Sequence, residues 1–240
     1  MKARLAFIGL LLLLPSAALL LPGVARAEVI LRLPTSEHVV ALTFDACERH
    51  QPMKLDTGIS DFLVAHRIPF TMFVSGRFAE DNAAAVKALA ALPFVEIENH
   101  SWDHPNRMPD LSDDDVRDEI LRADAAIARL TGRGTAFFRF PAIAYDARTL
   151  GIAEGLGFVV VHYRWEVGDP DPRETADRIV RETLEGVEPG DILIYHINGR
   201  GWHTAEALPR LIAGLQAKGY RFVLLRDYLK EKRSRSAAGR

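Results

Sequence analysis

Strand-like apolar runs alternate with helix-like segments from residue 38 onward, and this alternation constrains the fold more than any other feature. Gly132 follows the clearest helical segment, which Ser112 caps at its start. Alternation of this kind produces a parallel sheet, and so many units in one α/β domain favour a closed or nearly closed barrel. The seven predicted strands are VVALTFD, PFTMFVSG, FVEIENH, AFFRFP, FVVVHYRW, DILIYH and RFVLL.

The composition fits one globular domain and argues against several classes of partner. The chain has 240 residues, of which 48% are hydrophobic, so it can bury a full core. Its formal net charge of −2 gives no basic face for nucleic acid. Cys47 is the only cysteine, which excludes an intramolecular disulfide. No protein partner is evident from the sequence.

The two ends of the chain do not follow the alternating pattern. Residues 1–27 begin with basic residues, continue with a long apolar run and end in Ala25-Arg26-Ala27, which predicts a cleaved signal peptide. An uncleaved membrane anchor is the alternative, because the apolar run is nearly long enough to span a bilayer. Either reading places residues 28–230 outside the cytoplasm, as a secreted or periplasmic domain. Residues 231–240 are expected to form a basic, disordered tail.

Polar residues stand at the ends of five predicted strands. Parallel strands all point one way, so their C-terminal ends meet at one rim, where barrel enzymes build active sites. A single strand-end histidine or aspartate is commonly structural, whereas five together favour a functional site. The five residues are Asp45, His100, Arg139, Trp165 and His196.

The segment ENHSWDHPN indicates a metal site. His100 and His104 are four residues apart, so a helical turn or a tight loop can direct both imidazoles at one ion. Asp45 is a candidate base for a water polarised there, and Arg139 is a candidate to keep that carboxylate ionised. His196 is a candidate proton donor to a leaving amine. The set describes metal-assisted hydrolysis of an amide or ester.

Four motifs in order, LTFDAC, NHSWDHP, FRFP and DILIYH, resemble the motif series of the polysaccharide deacetylases. The resemblance runs from about residue 38 to 229. It implies a distorted (β/α) barrel of about seven parallel strands in a single domain, with a divalent metal that is commonly zinc. It also implies a hydrolase that removes acetyl groups from N-acetylated glycans of the chitin or peptidoglycan type.

The resemblance assigns roles to individual residues. Asp45 matches the catalytic base, Arg139 the arginine that tunes it and His196 the catalytic acid. His100 and His104 match the metal-binding histidines. The remaining matches concern the substrate: Ala142 at the oxyanion, Tyr145 as a shifted aromatic and Trp165 at the acetate pocket. Apart from the resemblance, Trp202 could stack on a sugar face or instead cover a core edge, and His203 could hydrogen-bond a sugar hydroxyl.

This chain departs from the family pattern at the metal. The family's first motif has a second aspartate that binds the ion, and here Ala46 occupies that position. Another side chain could replace it, water could complete the shell, or the protein could hold no metal. Asp169 or Asp171 could brace Arg139 or cap the following helix. Candidate replacement ligands nearby are Cys47, Glu48, His50, Glu98 and Asp103.

Three functions therefore stay open at the level of sequence. The first is a deacetylase of N-acetylated glycan, which uses all of the matched residues. The second is a non-catalytic glycan-binding domain on the same barrel that has lost its metal. The third is a deacetylase of O-acetyl esters. Persistence of Asp45, Arg139 and His196 favours an enzyme, because a binding module does not need them.

Overall fold

The structure is a computed structural model that describes residues 28–48 and 53–231. The expected signal peptide at 1–27 and nearly all of the expected tail lie outside the described residues. The strands are β1 (Val29–Ile30), β2 (Val39–Ala46), β3 (Phe70–Val74), β4 (Val95–Asn99), β5 (Phe137–Phe138), β6 (Val159–Val161), β7 (Ile192–His196) and β8 (Arg221–Val223). The α-helices are α1 (Thr57–Ala65), α2 (Gly76–Asp81), α3 (Ala83–Ala90), α4 (Asp113–Thr131), α5 (Ala147–Gly155), α6 (Ala176–Gly186) and α7 (Thr204–Ala217).

The strands form one sheet in which every strand pair is parallel, in the order β1-β6-β5-β4-β3-β2-β7, with β8 beside the first half of β2. The two outer strands of this order approach each other after β1. There Arg32 forms an antiparallel bridge with Asp191, and the Leu33 N–H donates to the Gly190 carbonyl at 2.8 Å. This short join closes the sheet into the distorted barrel that the sequence predicts.

Strand β2 pairs with three other strands of the barrel wall and is buried along its whole length. Its side chains alternate between two cores, as a strand covered on both faces requires. Val40, Leu42 and Phe44 belong to the core between sheet and helices, together with Ala46. Val39 and Ala41 belong to the core inside the barrel. The same alternation turns Asp45 inward, at the C-terminal end of the barrel.

Helix α4 shows the predicted caps. The Ser112 hydroxyl accepts the Asp115 N–H, and Gly132 ends the helix with a left-handed φ of 77°. No helix within the described ranges is long and apolar enough to cross a membrane.

The structure differs from the sequence prediction in four respects. The segment predicted as one helix from 80 to 92 is divided at Asn82, because the buried Asn82 side chain bonds Leu55, Met53 and Phe78 and interrupts the helix. Helix α2, which precedes this break, was not predicted, and neither was the two-residue β1. Strand β6 ends at Val161, four residues before the predicted end at Trp165.

Asp191 is the main polar anchor of the barrel closure. Its buried carboxylate accepts hydrogen bonds from Arg164, from the Trp165 indole N–H at 3.3 Å and from the Glu188 N–H at 2.9 Å. Arg32 also lies 3.3 Å from it. One charge therefore ties the segment after β1 to the loop after β6 and the start of β7.

Replacing Asp191 with asparagine should lower the free energy of unfolding by roughly 2–4 kcal/mol, because several donors lose a charged acceptor in a buried position. Urea denaturation followed by circular dichroism measures the change. The matched control is Asp177→Asn, which removes an exposed pair with Arg210 and should cost less than about 1 kcal/mol. Equal losses for the two variants would contradict the anchoring role.

Candidate active site

Four of the predicted strand-end residues meet at one rim of the barrel. Asp45 lies near the end of β2, His100 directly follows β4, Arg139 follows β5, and His196 ends β7. They surround or underlie an open cleft of about 160 Å³. The cleft is lined by Asp45, His104, Arg139, Phe140, Ala142, Ile143, Tyr163, Glu166, Pro170, His196 and Arg200.

Asp45 and Arg139 form a buried ion pair at the bottom of the cleft. Arg139 Nη1 donates to Asp45 Oδ1 at 2.8 Å, and the guanidinium lies over the Phe73 ring. Burial by itself would raise the pKa of Asp45. The charges of His100, Arg139 and His196 outweigh that effect and lower its pKa to about 2, so the carboxylate is ionised at neutral pH.

A tight loop, rather than a helical turn, places the two histidines side by side. The His100 and His104 ring centroids lie 5.0 Å apart. Ser101 and His104 have left-handed φ values of 67° and 51°, which non-glycine residues rarely adopt. Glu119 of α4 holds the loop by accepting the N–H groups of Trp102 and Asp103, each at 3.0 Å. Backbone strain at a site held this firmly is typical of functional loops.

The hydrogen bonds of His100 show which ring nitrogen faces the site. Its Nδ1 lies 2.9 Å from the Arg139 carbonyl, which can only accept, so Nδ1 carries the proton. Nε2 then faces Asp45 Oδ2 at 3.4 Å. Burial lowers the pKa of His100, although Asp45 opposes this. In its charged form the ring attracts the carboxylate, and in its neutral form Nε2 presents a lone pair to it. Two such acceptors need a cation or a proton between them, so this donor set fits a divalent metal.

One of the candidate replacement ligands lies beside the histidines. The possible ligand atoms of Cys47, His100 and His104 all lie within 4.8 Å of one another, and all three residues are buried. The structure turns the other candidates elsewhere. Glu48 accepts the Met53 N–H, Glu98 accepts the N–H groups of residues 136 and 137, and Asp103 pairs with an exposed arginine. His50 lies outside the described residues.

His196 is oriented by the buried carboxylate of Asp169. Asp169 Oδ1 lies 2.8 Å from His196 Nδ1, and Oδ2 accepts both the His196 N–H and the Thr204 hydroxyl. Nδ1 therefore carries a proton, which leaves Nε2 as the nitrogen available to the cleft. The expectation that Asp169 or Asp171 braces Arg139 is corrected here: Asp169 braces His196, and Asp171 pairs with Arg173 at 2.6 Å.

Three polar cleft residues lie where the sequence analysis did not place them. Tyr163 belongs to a predicted strand that runs past the true end of β6, where packing in the core or at the rim is expected; it lies on the rim and lines the cleft. Glu166 and Arg200 lie in the loops after β6 and β7. The only available signal for them was their position just beyond strand ends, which carries no information on side-chain direction.

Ala142 lines the cleft, as the oxyanion assignment requires. Ala142 and Ile143 have φ values of 51° and 56°, so two successive non-glycine residues occupy the left-handed region. Both residues belong to the short turn Pro141–Ile143, which begins two residues after Arg139. Both residues line the cleft, so this strained turn forms part of its wall.

Four of the suggested substrate residues do not line the cleft. The expectation that Trp165 lies at the acetate pocket is wrong. Strand β6 ends four residues earlier, and the Trp165 indole N–H donates to Asp191, just before the start of β7. Tyr145 stacks on Phe140 and His162, so it supports the wall from behind. Trp202 is 59% exposed in the loop after β7, and His203 lies 3.6 Å from Glu206.

Comparison with known proteins shows which family this chain resembles in sequence and in fold. The polysaccharide deacetylase family model matches residues 32–161. A peptidoglycan-N-acetylglucosamine deacetylase of Bacillus cereus is 30% identical over 206 residues, covering 84% of this chain and 72% of that protein. A chitooligosaccharide deacetylase of Rhizobium leguminosarum is 34% identical over 146 residues, covering 58% of this chain and 60% of that protein.

Solved structures agree. A peptidoglycan N-acetylglucosamine deacetylase superposes with a TM-score of 0.77 at 28% identity, covering 85% of this chain and 95% of that one. A pseudoenzyme of carbohydrate esterase family 4 from Bacillus anthracis superposes with a TM-score of 0.73 at 25% identity, covering 86% of this chain and 70% of that one. The chain therefore belongs to the polysaccharide deacetylase family, and it is a hydrolase of the polysaccharide deacetylase type.

Gly201 permits the contact between Asp169 and His196. A methyl group at Gly201 would overlap the His196 carbonyl oxygen and would lie 2.6 Å from Thr204 Oγ1 and 2.9 Å from Asp169 Oδ2. Gly201→Ala should therefore displace this carboxylate and lower kcat at least tenfold, as measured by acetate release. Gly151→Ala, in open space on α5, is the matched control and should leave activity unchanged. A Gly201→Ala enzyme with full activity would show that the bracing of His196 is dispensable.

Proposed function

We propose that this protein is an exported, metal-dependent hydrolase that removes acetyl groups from N-acetylated glycans of the chitin or peptidoglycan type. One observation carries the proposal: an ionised Asp45, held by Arg139, shares a cleft with His196, which Asp169 braces from behind. A base and an acid in one cleft are what hydrolysis of an acetamide needs.

The residues of the rim fit the metal that the family implies. His100 and His104 would hold the ion, because the proton on His100 Nδ1 leaves its Nε2 free for coordination. A divalent metal, zinc by its preference for imidazole, would supply Lewis acidity at the attacking water and the acyl oxygen. All proton movements fall to the side chains of this chain.

Asp45 accepts a proton from the attacking water, which adds to the acetamide carbonyl carbon. Arg139 keeps the carboxylate ionised and fixed in the orientation required for that transfer. The backbone N–H of Ala142, a residue that lines the cleft, would donate to the oxyanion that develops on the acetyl oxygen. His196 Nε2 then donates a proton to the departing amine, so the carbon–nitrogen bond breaks and the products are acetate and a free amino sugar.

The shape of the site fits an acetyl group on a longer chain. The cleft is open to solvent and has a volume of about 160 Å³, so an acetyl group can enter it while the rest of the glycan lies outside. Trp202, exposed in the loop beyond His196, offers a flat surface for a neighbouring sugar ring. The peptidoglycan and chitooligosaccharide deacetylases among its relatives support this substrate class. The signal-like residues 1–27 support export to the compartment that holds such glycans.

The buried charges favour catalysis over simple glycan binding. Arg139 is 1% exposed and Asp45 is 7% exposed, and burying such a pair costs free energy that apolar residues would not. A sugar-binding module gains nothing from this arrangement. Similarity to a pseudoenzyme shows that the fold also exists without activity, so acetate release must be measured directly.

Asp45→Asn should abolish acetate release from chitooligosaccharides and from peptidoglycan, with kcat lower by roughly 10²–10⁴-fold, because the amide cannot accept the proton of water. Metal content should persist in this variant. Asp171→Asn is the matched control, since it changes the same chemical group in a residue paired with Arg173. Full activity of Asp45→Asn would contradict the proposed base.

Removal of divalent metal with a chelator should suppress acetate release, and added zinc should restore it, because water and carbonyl would otherwise lack polarisation. His100→Ala should lose both bound metal and activity, and His66→Ala, an exposed histidine of the first helix cap, should lose neither. Chelator-resistant turnover in the His100→Ala protein would contradict the metal assignment.

A further inference from the structure

We propose that Cys47 replaces the missing family aspartate as the third protein ligand of the metal, so that the site is a buried set of one thiolate and two imidazoles. This inference rests on the metal site of the proposed function and assigns a residue that the family pattern does not. Its starting observation is the grouping of Cys47, His100 and His104, whose ligand atoms lie within 4.8 Å of one another.

The exit of β2 explains how the sulfur reaches the histidines. Ala46 is buried in the hydrophobic core between sheet and helices, so the residue at the family's ligand position is part of that packing here. Cys47 is the first residue after β2, so the end of that strand, next to Asp45, sets its position. The cysteine is fully buried, and the strand carries it to the rim where His100 also lies.

The groups around the sulfur suit a thiolate. Asn198 Nδ2 lies 3.5 Å from Cys47 Sγ and also donates to the Cys47 carbonyl. Arg200 Nη1 lies 3.8 Å from the same sulfur. Outer hydrogen bonds of this kind orient metal ligands and raise metal affinity. On binding, the thiol proton is released to solvent and a metal–sulfur bond takes its place.

The ligand set predicts which ions the site selects. Two imidazoles and one thiolate are softer than the oxygen-containing set of the family pattern, so the site should prefer zinc or cobalt over magnesium, calcium or manganese. The thiolate carries the same single negative charge as the aspartate that it replaces. Three protein ligands also leave one tetrahedral position open for water, as in catalytic zinc sites.

Cobalt substitution tests the sulfur ligand directly. Cobalt(II) bound by a cysteine thiolate absorbs in the near ultraviolet through sulfur-to-metal charge transfer, whereas nitrogen and oxygen ligands do not produce this band. We expect the protein with one equivalent of cobalt to show the band. Cys47→Ser should lose it, and metal affinity should fall at least tenfold in equilibrium dialysis, with circular dichroism confirming that the variant is folded.

Two further variants separate sulfur ligation from a general effect on folding. Cys47→Asp should lose the charge-transfer band yet retain cobalt, because a carboxylate can take the same position. Glu48→Gln is the neighbouring control; Glu48 bonds the Met53 N–H and should leave band and affinity unchanged. A cobalt protein without the band, or a folded Cys47→Ser variant with full affinity, overturns the assignment of Cys47.

The outcomes distinguish this inference from the proposed function. Acetate release with bound cobalt but no charge-transfer band would leave the deacetylase intact and remove Cys47 from the ligand set. A strong band with no acetate release from any acetylated glycan would support the ligand and contradict the function. Failure of the protein to bind cobalt or zinc at all would overturn both.

Discussion

The buried ion pair between Asp45 and Arg139, joined at 2.8 Å, is the interaction on which the site depends. Neither charge could remain in the barrel without the other, because an unpaired buried charge costs several kcal/mol. The pair fixes the carboxylate beside His100 Nε2, at 3.4 Å, and so defines where a cation fits. The Arg139 backbone contributes as well, since its carbonyl sets the tautomer of His100. Arg139, which directly follows β5, thus orients both the base Asp45 and the metal-binding residue His100.

The barrel explains why residues from distant parts of the chain converge on this pair. Registers of the parallel strands align Asp45 with His196 on one side and with Phe73 on the other. Polar groups at the ends of β2, β4, β5 and β7 therefore reach the same rim without any long loop. Asp191 performs the complementary task at the other end of the barrel, where its hydrogen bonds close the sheet. Stability and chemistry are consequently separated between the two ends, as in other parallel barrels.

The sequence predicted the elements whose signals are local. Seven strands, the caps of α4 and the strand-end positions of Asp45, His100 and His196 all follow from apolar runs and capping residues. Three features could not be read this way, because they depend on contacts across the fold. Asn82 breaks a helix through bonds to a distant loop, and Asp169 turns to His196 rather than to Arg139. Trp165 turns away because β6 ends early.

The most direct test is a crystal structure of the zinc-loaded protein, with diffraction recorded at the zinc absorption edge. The account predicts an anomalous peak in contact with the imidazoles of His100 and His104, with the Asp45 carboxylate one water away and still paired with Arg139. A peak bound elsewhere, or no peak at the two histidines in zinc-loaded crystals, would contradict it.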